Sequence, residues 1–336
     1  MPKKTDVAVV IPNWNGRDAI GPCLKSLLGQ TLKPHIIIVD NGSTDGSLEF
    51  IRSNYPSAEV LTQKSNLGFA GGVNIGIRKA ITGGFAFVAL FNNDAVAHND
   101  WLKYLMGSLD ESPDAGIATC KLLSMDKKRV DSTGDFYTTW GLPFPRDRDK
   151  PARQASGKLE RVFGASGGAS VYRTDMLKRI GLFDEDFFAY FEDVDISFRA
   201  QLAGWKVLYE PSAEAYHATG STSTKIPGFT TYQTFKNYPL LLAKNVPARL
   251  LPGILLRFSI AYTSIYFASL FGGRGWSATK GFLRMLTLLP KKLRERRAIQ
   301  KNCSVSVDYI NSILVHDLPP NATKLRHLRR LFTGKP

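Results

Sequence analysis

Short runs of β-branched and aliphatic residues recur along the first part of the chain, each closed by a turn and followed by a segment of helical spacing. Residues 7–11 are continuously apolar and stop at Pro12, and residues 36–39 stop at Asp40 and the turn pair Asn41-Gly42. Runs this short and this apolar predict strands buried on both faces, as in a parallel sheet. Between them, residues 19–28 repeat apolar positions at helical spacing through Ile20, Leu24, Leu27 and Leu28. The alternation continues with a helix over 47–55, a strand over 59–61, and a helix over 72–81 whose inner face is Val73, Ile77 and Ile81. A strand over 85–91 follows, ending at Asn92-Asn93-Asp94. Strand and helix in strict alternation predict a doubly wound α/β fold, in which ligands bind at the carboxyl ends of the strands.

Residues 124–160 are polar, rich in Asp, Arg, Lys and Pro, and lack a period; they predict long loops with short strands over the site. Order returns over 163–172 and in a helix over 174–180. A further helix begins near Glu192 with Val194, Phe198 and Leu202 on one face and ends at Gly204, and a strand over 206–209 is closed by Pro211. Beyond Tyr238 the texture changes to dense apolar stretches (240–242, 250–256, 258–271) punctuated by Lys244, Arg249, Arg257 and Arg274. Only 16 uncharged residues separate Arg257 from Arg274, fewer than the roughly 20 a spanning helix needs, so interfacial helices are expected.

Charge sharpens that division. The 336 residues carry 44 Lys plus Arg against 29 Asp plus Glu, a net charge of +15. Residues 1–235 hold 26 of each sign, so the whole excess lies in 236–336, with 18 basic and 3 acidic residues. An excess of this size suits nucleic acid or an anionic membrane. Here the basic residues alternate with long apolar runs, and 281–289 runs straight into Lys291, Lys292, Arg294, Arg296 and Arg297. That pairing fits anionic lipid and not nucleic acid. Three scattered cysteines, Cys23, Cys120 and Cys303, exclude a disulfide scaffold and fit a reduced compartment. The apolar run after Lys3 and Lys4 is too short for a signal peptide.

Five constellations could carry chemistry. Asp40, followed by Asn41, Gly42, Ser43, Thr44 and Asp45, can accept from a nucleobase or ribose, although turn formation and helix capping ask for the same residues. The segment 66–74 is glycine-rich and leads into a helix whose N-terminus favours phosphate. Its spacing matches neither a dinucleotide fingerprint nor a P-loop, and tight packing would explain its glycines equally. Asn92-Asn93-Asp94 offers oxygen ligands for a hard cation such as Mg²⁺ or Mn²⁺, or else a turn and cap. Glu192 and Asp193 begin a helix behind Phe187, Phe188, Tyr190 and Phe191. The macrodipole alone favours acids there, but an aromatic wall would desolvate a carboxylate and raise its pKa toward that of a general base. Asp195 should face elsewhere and hold the loop. His217 gains a role only if it folds back near Asp94.

Together these segments resemble the inverting glycosyltransferases of family 2, with the GT-A fold, and in particular the rhamnosyltransferase-like branch that builds bacterial polysaccharides. The matching stretches are 10–16, 39–45, 66–76, 90–94, and 181–184 through 190–195, in the family's order. The resemblance implies an α/β fold of GT-A type, a doubly wound mixed sheet, with a catalytic domain over 1–235. Its nucleotide-sugar half would cover about 1–120 and its acceptor half about 121–235, ahead of a helical, membrane-associating region over 236–336. It implies nucleotide binding by Pro12, Asn13, Asp40, Asn66, Asn92 and Asn93. Asp94 and His217 would hold Mg²⁺ or Mn²⁺, Asn92 replacing the first acid of the usual pair, and Asp193 would be the catalytic base with Glu192 beside it. The implied partners are a nucleotide-sugar donor of dTDP-rhamnose or UDP-sugar type and a lipid-linked or glycan acceptor, at the cytoplasmic face of the membrane. The alternatives are a nucleotidyltransferase of the same fold, disfavoured because 12–16 contains no Lys, and a basic non-enzymatic protein binding membrane or nucleic acid.

Overall fold

The computed structural model describes residues 6–218, 226–320 and 322. The described residues divide into two compact units, the first formed by 6–135 and 145–218, the second by 136–144, 226–320 and 322.

In the first unit β1 (Val7–Asn13), α1 (Ile20–Leu28), β2 (His35–Asp40), α2 (Ser47–Asn54), β3 (Glu59–Thr62), α3 (Gly68–Thr82) and β4 (Phe87–Phe91) follow in the expected alternation. After them come β5 (Ala95–Ala97), α4 (Trp101–Asp110), β6 (Ala115–Ser124) and β7 (Val130–Ser132). The short hairpin of β8 (Asp135–Tyr137) and β9 (Pro143–Pro145), whose residues 136–144 belong to the second unit, is followed in the first unit by β10 (Glu160–Val162), β11 (Ala169–Arg173), α5 (Thr174–Ile180), α6 (Glu192–Leu202) and β12 (Lys206–His217). The sheet runs β10-β12-β6-β11-β4-β1-β2-β3, with β5 added to β12 and β7 to β6. Strands β1 to β4 are mutually parallel, β11 is antiparallel to both β4 and β6, and β12 is parallel to β6. The carboxyl ends of β1, β2, β4, β6 and β12 therefore all open on one edge.

Side chains alternate across the sheet as a strand requires. Val7, Val9 and Ile11 face a core completed by Leu24, Ile51 and Trp101 from α1, α2 and α4. Ala8 and Val10 face the opposite core, completed by Ile77, Met176 and Ile196 from α3, α5 and α6. Helix α3 begins at Gly68, four residues before the apolar period does, because its first turn consists of residues that sequence alone reads as a loop. Its glycines serve contact: a Cβ on Gly72 would meet the Asn41 side chain and one on Gly76 would strike Val10.

Strand β12 corrects the expectation of a strand closed by Pro211. It continues to His217, because residues 211–213 bulge out between Glu210, opposite Cys120, and Glu214, opposite Lys121. A bulge is where a sheet tolerates proline.

The second unit is helical: α7 (Phe229–Asn245), α8 (Leu251–Phe271), α9 (Gly275–Lys301) and α10 (Val307–Ile313). Gly281 lets α9 approach α7, where a Cβ would meet the Tyr232 carbonyl. The carbonyls at the end of α7 accept from α9: Arg296 reaches Ala243 O at 3.0 Å and Gln300 reaches Asn245 O at 2.9 Å, satisfying groups the helix leaves open. Lys292, fully buried, pairs with Glu295 at 3.0 Å. Counting between charges ends the apolar stretch at Arg257, whereas α8 runs through that residue for 21 residues and contains an 18-residue window of mean hydropathy 1.5, enough by length and composition to cross a membrane.

The contrast between two helix glycines is testable. Gly76→Val should destabilise the first unit by about 1–3 kcal/mol through overpacking against Val10. Gly107→Ala in α4, where a Cβ meets nothing within 4 Å, should stabilise it by about 0.5–1 kcal/mol. Urea midpoints read both; equal shifts would show that the α3 glycines are not there for packing.

Candidate active site

At the strand-end edge, the buried Asn13 amide ties three strands together. Its Nδ2 donates to Asp40 Oδ1 at 3.1 Å and to Ser47 Oγ at 3.0 Å, and its Oδ1 accepts from Asn93 Nδ2 at 2.9 Å. Asn13 and Asp40 are also directly opposite in the β1–β2 register. Asp40 does not cap α2, whose N-cap is Gly46. Its second oxygen accepts from Ser43 N–H at 3.2 Å, closing a turn at the rim. Pro12 precedes Asn13 in β1. Asn66 accepts from Gly68 N–H at 2.8 Å and so starts α3. Ala70 N–H donates to Phe188 O at 3.1 Å, so the protein itself uses part of this helix N-terminus.

The residues after β4 face the end of β12. His217 Nε2 lies 3.1 Å from Asp94 Oδ1 and 3.1 Å from Asn92 Nδ2. Its Nδ1 lies 2.8 Å from Asp131 Oδ2. Asp131 in turn pairs with Arg148 Nη2 at 2.9 Å. Burial alone would lower the His217 pKa, but Asp131 and Asp94 outweigh it and raise it to about 9. With Nδ1–H committed to Asp131, a neutral ring turns the Nε2 lone pair toward an Asp94 oxygen. Two electron-rich atoms at that separation call for a proton or a cation between them. The donor set of imidazole and carboxylate therefore fits a divalent metal.

Asp193 stands at the start of α6, and the loop before it is strained. Ala189 N–H donates to Phe187 O at 2.7 Å around Phe188 at φ 63°, ψ −63°, a γ-turn of the rare kind. Tyr190 and Phe191 also have positive φ, 69° and 71°. Such conformations cost about 1–3 kcal/mol each and persist only where the surroundings impose them. Here Gly68, having no Cβ, leaves the room that Phe188 fills, and Arg199 holds the preceding turn. That guanidinium pairs with the fully buried Asp195 at 2.9 Å and donates to the carbonyls of Ile180, Gly181 and Leu182, so Asp195 anchors the turn at 180–182 through Arg199. Asp193 Oδ2 accepts from Gly167 N–H at 3.0 Å and Oδ1 from Val194 N–H at 2.9 Å. Desolvation nevertheless raises its pKa from the ordinary carboxylate value. Glu192 is buried in the same first turn. The residue after Gly167 connects to the cation side, since Asn92 N–H donates to Gly168 O at 2.9 Å.

Sequence reasoning missed Asp131, Asp135, Arg148 and Gly167. Asp135 is buried, and burial first, then the charge of Asp193, holds its pKa well above the ordinary value. Two acids flanking Ser-Thr-Gly at 131–135 were the visible signal, but a segment without period gave no way to place them.

A sheet of this topology, with its polar cluster on the strand-end edge, is that of a GT-A glycosyltransferase. Among solved structures, S. aureus TarS 1-349 with UDP-GlcNAc superposes with TM-score 0.55 at 16% identity, covering 91% of this chain and 90% of that one. PcManGT from Pyrobaculum calidifontis, in complex with GDP-Man and Mn²⁺, gives 0.52 at 17% identity, covering 88% and 87%. GalNAc-T7 with UDP, GalNAc and Mn²⁺ gives 0.56 at 15% identity, covering 73% of this chain, which spans about half, 48%, of that one. The family described as "Glycosyltransferase like family 2" matches residues 2–233, and the chain belongs to it. It is similar to an N-acetylglucosaminyl-diphospho-decaprenol L-rhamnosyltransferase of Mycobacterium tuberculosis, 26% identical over 61% of this chain and 73% of the relative. It is also similar to the dTDP-rhamnosyl transferase RfbF of Shigella flexneri, 25% identical over 70% and 79%.

The raised pKa of Asp135 has a stability consequence. A carboxyl whose folded pKa lies above its unfolded value contributes stability below the unfolded pKa and loses it as pH rises through the folded one. Asp135→Asn should therefore unfold at higher urea than wild type at pH 8, with the gap closing toward pH 4. Parallel pH profiles of the two proteins would show that Asp135 ionises without penalty.

Proposed function

We propose that the protein is a metal-dependent inverting glycosyltransferase of the hexosyltransferase class. It moves a sugar from a dTDP-rhamnose or UDP-sugar type donor to a lipid-linked or polysaccharide acceptor in bacterial cell-surface glycan synthesis. The observation that carries this reading is the pairing of Asp193, a carboxylate with raised pKa, with the His217–Asp94 cluster, the two linked through the adjacent Gly167 and Gly168. Rhamnosyl transfer in two relatives, one acting at a diphospho-decaprenol, supports the donor and acceptor classes.

In this reading Asp40 at the rim, with Pro12 and Asn66, receives the nucleotide. Asn13 and Asn93 act by fixing Asp40. Asp94 and His217 would hold Mg²⁺ or Mn²⁺, with Asn92 beside them; the cation, when bound, offsets negative charge on the diphosphate. Asp193 accepts the proton of an acceptor hydroxyl as its oxygen bonds to the anomeric carbon, while the bond from that carbon to the diphosphate oxygen breaks. Glu192 lines the acceptor side. One displacement with no carboxylate nucleophile inverts the anomeric centre, so a single base is enough. The raised pKa of Asp193 favours taking that proton near neutral pH.

We assign catalysis to the domain over 1–235 and membrane association to 236–336. In the second unit α8 exposes Leu256, Ile260 and Phe267, and Phe271 and Trp276 stand 90% and 71% exposed at the turn into α9. Along α9 the exposed Phe282, Leu283 and Leu286 lie beside Lys280, Arg284 and Arg294, the pattern of a helix lying in an anionic interface. The protein then works peripherally at the cytoplasmic face, where a lipid-linked acceptor is presented.

Asp193→Asn should lower kcat/KM by about 10²- to 10⁴-fold while leaving thermal stabilisation by UDP or dTDP unchanged. Near wild-type turnover by a folded variant would sink the base assignment. Neutralising Lys291, Arg294 and Arg297 to Gln should weaken flotation with phosphatidylserine vesicles by about two orders of magnitude, at about 1 kcal/mol per basic residue removed. Binding insensitive to both the substitutions and salt would argue against an electrostatic component.

A further inference from the structure

We infer that Asp131 is a positioning residue for the cation site, acting through His217; this rests on the reading of Asp94 and His217 as cation ligands. Strands β7 and β12 both pair with β6 near its carboxyl end, Ser132 opposite Leu122 and His217 opposite Ser124. Asp131 is thereby brought beside the His217 ring. Its carboxylate is nearly buried and engaged on both sides: Oδ2 accepts from His217 Nδ1 at 2.8 Å, and Oδ1 meets Arg148 Nη2 at 2.9 Å. Arg148 Nε also donates to the Asp131 main-chain oxygen at 3.0 Å. The guanidinium thus grips the residue at side chain and backbone, and its charge compensates the buried carboxylate.

The consequence is tautomeric. An ionised carboxylate can only accept, so it keeps the proton of a neutral His217 on Nδ1 and leaves Nε2 as a lone pair beside Asp94 Oδ1. It also fixes the plane of the ring. An amide at 131 could instead donate to Nδ1, which would put the proton on Nε2, where it would block a cation. A carboxylate behind a metal-binding imidazole is a recurrent arrangement, and its loss costs about 10–100-fold in metal affinity. Strand β7 thereby reaches the cation site through the nearly buried Asp131, one side chain behind His217.

The test uses the full chain and Mn²⁺ alone. Free Mn²⁺ is measured by electron paramagnetic resonance, and the ¹⁴N coupling of bound Mn²⁺ by spin echo. Wild type should bind with a histidine ¹⁴N coupling that His217→Ala loses. Asp131→Asn and Asp131→Ala, folded without metal, should bind about 10–100-fold more weakly with that coupling reduced, and Asp131→Glu should recover part of the affinity. Asp126→Asn, an exposed acid of the same loop, should match wild type. Wild-type affinity and coupling in both Asp131 variants would overturn the inference and leave the cation site standing. Absence of Mn²⁺ binding by wild type would overturn both. Weaker binding with the full histidine ¹⁴N coupling retained in the bound fraction would make Asp131 structural and overturn the inference as well.

Discussion

The site depends on one buried amide. Asn13 ends β1, lies opposite Asp40 of β2, and receives Asn93 from beyond β4, so three parallel strands finish in a single hydrogen-bonded group. Strand ends splay unless something holds them, and a primary amide can donate and accept at once. Fully buried, it makes these bonds without competition from water, which leaves Asp40 fixed at the rim before any ligand arrives. The glycines of α3 serve the same end from behind, letting that helix seat directly on Val10 in the middle of β1.

Around this fixed centre, stability is given up locally. The segment leading into α6 carries three aromatic residues with positive φ, and a carboxyl beyond it loses solvation. Arg199 offsets part of this by satisfying the buried Asp195 and three carbonyls with one planar group. Removing one member of such a buried pair would leave a charge with no partner, a loss of about 3–5 kcal/mol. The reactive edge is thus firm on the strand side and tensioned on the helix side.

How much of this could be read from the sequence follows from what each feature shows along the chain. The strand–helix alternation was legible because burial imposes a period, and α5 lies over 174–180 as expected. The start of α3 was not, since glycines that permit close packing look the same as glycines in a loop. Asp40, Asp94, Asp193 and His217 were visible as polar residues at the ends of apolar runs. Asp131, Asp135 and Arg148 were hidden because they sit in a segment without period, where only folding decides which acids are buried. The continuation of α8 through Arg257 was hidden for a simpler reason: an exposed arginine interrupts composition without interrupting a helix.

The bulge in β12 has a geometric consequence of its own. Residues 211–213 are carried by β12 alone, with no counterpart on β6, and downstream pairing resumes for only a few positions before His217. Because side chains change sides at every residue of a strand, the parity of this bulge decides which surface of the sheet His217 presents. A variant shortened there by one residue, whose downstream pairing slipped by one position, could fold with every apolar contact upstream intact and still turn the imidazole away from Asp94. The length of a three-residue kink is in this sense part of the active-site specification, as binding on the chain as the identity of the histidine.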